Sequence, residues 1–148
     1  MAPAGRARRR ARTATAPVGS PSSPATRERR LSAAQGGDDV LARFKGDRGA
    51  EVFRACVACH TLTPDAGNRA GPTLHGVFGR RIATAPGYNF SRPLKDLDIV
   101  WNAETIAKLF EIGPSRYTPG TKMPEQIIIN PDDRAALVQF LEKATRPR

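Results

Sequence analysis

Apolar positions along this chain fall into three short helical stripes set between long stretches with no period. Ala50, Phe53 and Cys56/Val57 recur at helical spacing, and Asp47 before them suits a helix cap. A first helix is therefore predicted from near Asp47 to the cysteines. Ile106, Leu109 and Phe110 share a second face; Asn102 can cap it and Gly113-Pro114 stops it, giving a helix over about 103–112. Leu137, Phe140 and Leu141 form the third stripe. Asn130 precedes it as N-cap, Pro131 fits the first helical position, and Asp132 and Asp133 favour the positive helix start, so a helix is predicted over about 131–144. No stretch alternates as a strand would.

Between Thr61 and about Trp101 the chain is mostly Gly, Pro, Asn, Arg and short apolar pieces. A loop that long normally counts against a compact domain. It becomes reasonable if it wraps a large apolar object, because the remaining bulky side chains make only a thin core.

Charge separates the chain into two parts. Residues 1–37 hold eight arginines and one acid; residues 38–148 hold 16 Lys+Arg and 13 Asp+Glu. The net charge of +10 is thus mostly a property of the first segment, which weakens a nucleic-acid reading of the whole. Residues 1–37 have almost no large apolar side chains and read as a disordered basic segment, transit-like or upstream of the true start. No export signal with an apolar middle is visible there. The rest, 38–148, reads as one domain, and no apolar run approaches the roughly 20 residues needed to cross a membrane.

The chemistry is concentrated at Cys56-Val57-Ala58-Cys59-His60, which holds the only two cysteines. Two thiols three residues apart, followed at once by histidine, form the C-x-x-C-H signature of c-type haem attachment: two thioethers fix the macrocycle and His60 reaches the iron. A thiol–disulfide motif would usually accompany a βαβ pattern, and a zinc site would need further Cys or His. A bound haem would also be the apolar object that the long loop needs. Met123 is the one methionine besides Met1. It sits in the rigid turn Pro119-Gly120-Thr121-Lys122-Met123-Pro124, a poor place for core filler, and is the candidate sixth ligand. His75 is the alternative, though a structural role suits it better. Trp101, with an indole N–H that needs a partner, and Arg80 are candidates for a haem propionate.

Taken together these residues resemble class I cytochrome c, of the mitochondrial and bacterial c2-like kind. The likeness covers about residues 46–145: Cys56–His60, GPTLHGVFGR at 71–80, APGY at 85–88, Trp101, YTPGTKMP at 117–124 and FLEKAT at 140–145. It implies an all-α cytochrome c fold, three or more helices and long loops around one covalent haem c. His60 and Met123 would be the iron's axial ligands, with Pro72 orienting His60 through its carbonyl. Arg80, Tyr88 and Trp101 would surround a propionate, and Thr121 would hold the methionine loop. Gly49, Phe53, Leu137 and Phe140 match the crossing of the first and last helices. The sequence departs from the family where a tyrosine often approaches the methionine sulfur, a place held here by Leu109 or Phe110 before the extra residue in Ile112-Gly113-Pro114. It departs also at Phe90, in place of a propionate-side tyrosine, and at Glu125, in place of an aromatic. Glu125 is expected to make the haem edge more acidic. The lysine-rich docking face is thinned to Arg69, Arg116, Lys122 and a few others.

The resemblance implies a soluble, monomeric one-electron carrier, not an enzyme, serving redox protein partners, with no nucleic-acid role and no stable membrane insertion. Two alternatives stay open: a dedicated haem subunit of a larger dehydrogenase or oxidase complex, and a ligand-binding or peroxidase-type haem protein. Thioether formation places the protein in the periplasm or the mitochondrial intermembrane space.

Overall fold

The computed structural model describes residues 40–147. The expectation for residues 1–37 lies outside them. A helical turn at 40–43 leads into α1 (Arg48–Phe53). The long connection follows, holding a 3-10 turn (Pro64–Ala66) and the short helix α2 (Arg92–Lys95). Then come α3 (Ala103–Ile112), the turn-and-a-bit α4 (Pro114–Tyr117) and α5 (Pro131–Ala144). Among the described residues the only strand-like pairing is an isolated antiparallel bridge, Arg81 with Val100.

The starts of the three longer predicted helices are chemically specified. Asp47 accepts from the N–H groups of Gly49 and Ala50. Asn102 accepts from the Thr105 N–H while the Thr105 hydroxyl accepts from the Asn102 N–H, a reciprocal capping box. Asn130 accepts from Asp132 N–H at 2.8 Å, with Pro131 in the first turn. The first helix differs from expectation at its far end. It stops at Phe53, and the chain continues to Cys59 as tight turns, with Cys56 N–H donating to Phe53 O at 2.7 Å. This tighter winding carries the chain toward the two cysteines. The short helices α2 and α4 have four residues each, with a proline at one of the first two positions, too little for a periodic signal.

The core is the crossing of α1 over α5. Phe53, Leu137 and Phe140 are at most 1 % exposed. Phe140 stacks edge-on against Phe44 at 5.1 Å and tilted against Phe53 at 5.3 Å. Gly49 permits the close approach: a methyl group there would collide with the Ala136 carbonyl and sit 2.6 Å from Phe140 Cβ. Ile106, Leu109 and Phe110 of α3 close the same cluster.

At the helix starts, the Arg48 guanidinium forks onto Asp133, Nε to Oδ1 at 2.8 Å and Nη2 to Oδ2 at 2.9 Å. These hydrogen bonds hold the Asp133 carboxyl below its ordinary value of 3.8. The folded value lies below the unfolded one, so this contribution is complete above about pH 4 and is lost as pH falls through the folded value. The pair is exposed and its effect is small. Urea midpoints of the parent and Asp133→Asn should differ at neutral pH and converge toward pH 2.5; a constant gap across that range would contradict the linkage.

One strained residue stands out in the long connection. Ala83 is the only non-glycine with positive φ among the described residues, at +60°. That conformation costs an alanine about 1–2 kcal/mol, while glycine loses up to about 1 kcal/mol more chain entropy on folding. Ala83→Gly should therefore stabilise by roughly 0.5 kcal/mol. A lowered denaturant midpoint would show that the strain is absent.

Candidate functional site

A cavity of about 330 Å³ opens between the cysteine turn, the long connection, α3 and the 118–124 loop. Its walls are chiefly apolar. Leu109 and Phe110 come from α3, Leu137 and Leu141 from α5, and Val77, Ile82 and Leu94 from the long connection. The irregular stretch thus does line one face of an apolar space, as its composition requires. Cys56, Cys59, His60, Pro72, Arg80, Tyr88, Trp101, Thr121 and Met123 all line it too. These nine residues lie between positions 56 and 123 of the chain, and the fold brings every one to a single cavity. His75 is not among the lining residues; its N–H donates to the Thr73 hydroxyl, in keeping with a structural role.

His60 is fixed by its neighbours. Its Nδ1 lies 2.7 Å from the Pro72 carbonyl. A carbonyl can only accept, so Nδ1 carries the proton and Nε2 keeps its lone pair. Burial lowers the His60 pKa, partly offset by the Pro72 bond, and the ring stays neutral, as a metal-binding imidazole must be. Gly71, just before Pro72, leaves room for the ring: a methyl group there would lie 2.6 Å from His60 Cε1 and 2.9 Å from Nδ1. In the sequence Gly71 shows only as part of a Gly-Pro step, which marks a turn and not a contact with His60.

Cys56 is buried and Cys59 partly so; neither forms a disulfide. Burial, with the neighbouring Cys59 adding to it, pushes the Cys56 thiol up to about 11. A thiol–disulfide motif works through a thiol with a depressed pKa, so the environment argues against that chemistry. Among the described residues no group of three or more His, Cys, Asp or Glu could hold a metal ion, which leaves the zinc reading without further ligands.

The polar side of the cavity is built by Arg80, Tyr88 and Trp101. Arg80 donates to the Thr73 carbonyl at 2.9 Å and to the His75 carbonyl, and burial lowers its pKa. The Tyr88 hydroxyl donates to the Ala70 carbonyl at 2.7 Å, and the ring packs edge-on against Phe90 at 4.7 Å. Trp101 pairs its backbone with Gly79 and Arg80.

On the methionine loop, the Thr121 hydroxyl accepts from the Met123 N–H at 3.1 Å. Ser91 Oγ donates to the Gly120 carbonyl at 2.6 Å, and Lys122 Nζ to the Asn89 carbonyl at 2.7 Å. Two pins on this loop, from Ser91 and Asn89, have no sequence signal, since they arise between segments about 30 positions apart. Glu125 is not among the cavity-lining residues; its carboxylate meets Gly113 and Ser115.

A family model described as cytochrome c matches residues 46–145. A cytochrome c of Cochliobolus lunatus is 41% identical over 100 residues, 67% of this chain and 92% of that protein. One of Arabidopsis thaliana is 38% identical over 109 residues, 73% of this chain and 96% of that protein. One of Ulva intestinalis is 39% identical over 99 residues, 66% of this chain and 88% of that protein.

Proposed function

The chain belongs to the cytochrome c family, and on that footing we propose that it is a one-electron carrier whose cavity holds a single haem c between His60 and Met123. Members of this family bind one covalently attached haem c, which supplies the ferric–ferrous couple. The donor set fits that group: two thiols, one neutral imidazole and one thioether on a single apolar cavity. Cys56 and Cys59 form the two thioethers. His60 offers Nε2, and the Pro72 carbonyl holds its tautomer and orientation. Met123 offers its sulfur from a loop that Thr121 steadies. Arg80, Tyr88 and Trp101 surround a propionate. The single observation that carries the reading is the His60–Pro72 bond, which leaves one imidazole lone pair at the cavity that Met123 also lines.

With His60 and Met123 both holding the iron, no open position would be left for substrate, so the protein would carry electrons and not catalyse. Potentiometric titration of the haem-loaded protein should give one one-electron wave, and peroxide turnover should stay near the background of the solvent. Steady peroxidase turnover would overturn the carrier reading.

The partners are redox proteins with acidic docking faces, steered by Arg69, Arg116 and Lys122 in weak, salt-sensitive encounters. Among the described residues no helix is long and apolar enough to cross a membrane. The proposed compartment is one where thioethers form, the periplasm or the mitochondrial intermembrane space; relatives in a fungus, a flowering plant and a green alga support the second.

A second reading, a dedicated haem subunit of a larger dehydrogenase or oxidase complex, is favoured by one feature. Ile127 and Ile129, just past the methionine loop, are 53% and 86% exposed. Purification from the native source as a free monomer supports the carrier; stoichiometric copurification with a larger complex supports the subunit.

A further inference from the structure

The loop that presents Met123 is unevenly held. Before the methionine, Ser91 and Asn89 tie it down at Gly120 and Lys122. After it, the next backbone anchor is the Ile128 N–H, which donates to the Phe110 carbonyl at 2.9 Å. Between these, among the described residues, the stretch 124–127 makes hydrogen bonds only through Glu125. The Glu125 carboxylate accepts from the Ser115 N–H at 3.3 Å and from the Ser115 hydroxyl. Ser115 lies in the first turn of α4, where a backbone N–H has no partner within the helix. Gly113 makes the approach possible. A methyl group there would collide with Glu125 Oε1 and lie 2.9 Å from its Cδ, and its φ of +95° suits glycine alone. Gly113, Ser115 and Glu125 thus form a matched set, with Glu125 two residues beyond Met123.

We propose that Glu125 is a positioning residue: by clamping the far side of the methionine loop to Ser115, it sets how readily Met123 leaves the haem iron. The inference rests on the reading of Met123 as an axial ligand. The carboxylate never meets the iron; it acts by limiting the excursions of the chain that carries the sulfur. Losing the clamp costs the ordered loop its two hydrogen bonds while leaving the α1–α5 core untouched.

The test uses the haem-loaded full chain and imidazole as a competing ligand, followed through the far-red methionine–iron band of the ferric protein. Glu125→Ala and Ser115→Ala should each raise imidazole affinity about tenfold, and the double variant should add little to either. Glu125→Gln, whose amide oxygen still accepts from both Ser115 donors, should stay within about twofold of the parent. Unchanged imidazole affinity in Glu125→Ala overturns the proposal, as does an equal rise in Glu125→Gln. Met123→Ala separates the two levels. If it leaves the parent spectrum unaltered, the ligand assignment fails and the clamp proposal falls with it. If it abolishes the band while Glu125→Ala changes nothing, only the clamp is wrong. Glu125 is exposed and sits outside the core, and a thermal melt of each variant reports that the fold is intact.

Discussion

Replacing Met123 with alanine should turn the carrier into a ligand-binding haem protein. The ferric protein should lose its far-red band, bind cyanide readily at neutral pH, and fall in reduction potential by on the order of 100 mV or more, since an axial thioether raises the potential. The reason lies in the site's composition. His75 is outside the cavity lining, and Leu109 and Phe110, which line the cavity from α3, are apolar and offer no replacement donor. Covalent attachment through Cys56 and Cys59 should survive, so haem content should be unchanged. A Met123→Ala protein with the parent spectrum and potential would show that another side chain holds the sixth position.

Gly49→Ala should be the most damaging small change in the helical framework. Alanine ordinarily gains about 1 kcal/mol over glycine inside a helix. Here the added methyl meets backbone, the Ala136 carbonyl, and not the movable end of a side chain. Relief requires α1 and α5 to separate, which opens the packing of Phe53, Leu137 and Phe140. Overpacking of this kind costs about 3 kcal/mol, or a fall in Tm of roughly 15 °C for a domain of this size. The clash outweighs the propensity gain. Thermal unfolding of the haem-loaded variant followed by circular dichroism checks it, and a Tm equal to or above the parent's would mean the helices are not so closely crossed.

Legibility in the sequence followed the range of the interaction concerned. The starts of α1, α3 and α5 were readable because Asp47, Asn102 and Asn130 act within three residues of themselves. The end of α1 is not legible: Ala50, Phe53 and Cys56 keep a helical period although the chain past Phe53 winds as tight turns, and periodicity cannot tell the two apart. The C-x-x-C-H motif and the family resemblance single out nine residues, and the fold brings all nine to one cavity. What could not be read was how the site is supported. Gly71 against the His60 ring, Ser91 on Gly120 and Glu125 on Ser115 are contacts between segments distant in sequence, made by residue types that fill ordinary loops. Glu125 illustrates the point. Its charge suggests a more acidic haem edge, while its partner Ser115 and the space left for it by Gly113 carry no signal in the sequence.

The most direct measurement is the optical spectrum of the protein expressed with haem-attachment machinery, oxidised and then reduced, with the same sample afterwards extracted with acidified acetone. The account predicts a low-spin spectrum, a weak far-red methionine–iron band in the ferric form, and haem that stays with the protein. Haem that extracts into the solvent, or a high-spin ferric spectrum that shifts on adding cyanide, would contradict covalent attachment at Cys56 and Cys59 or His60/Met123 ligation, and with it the electron-carrier function.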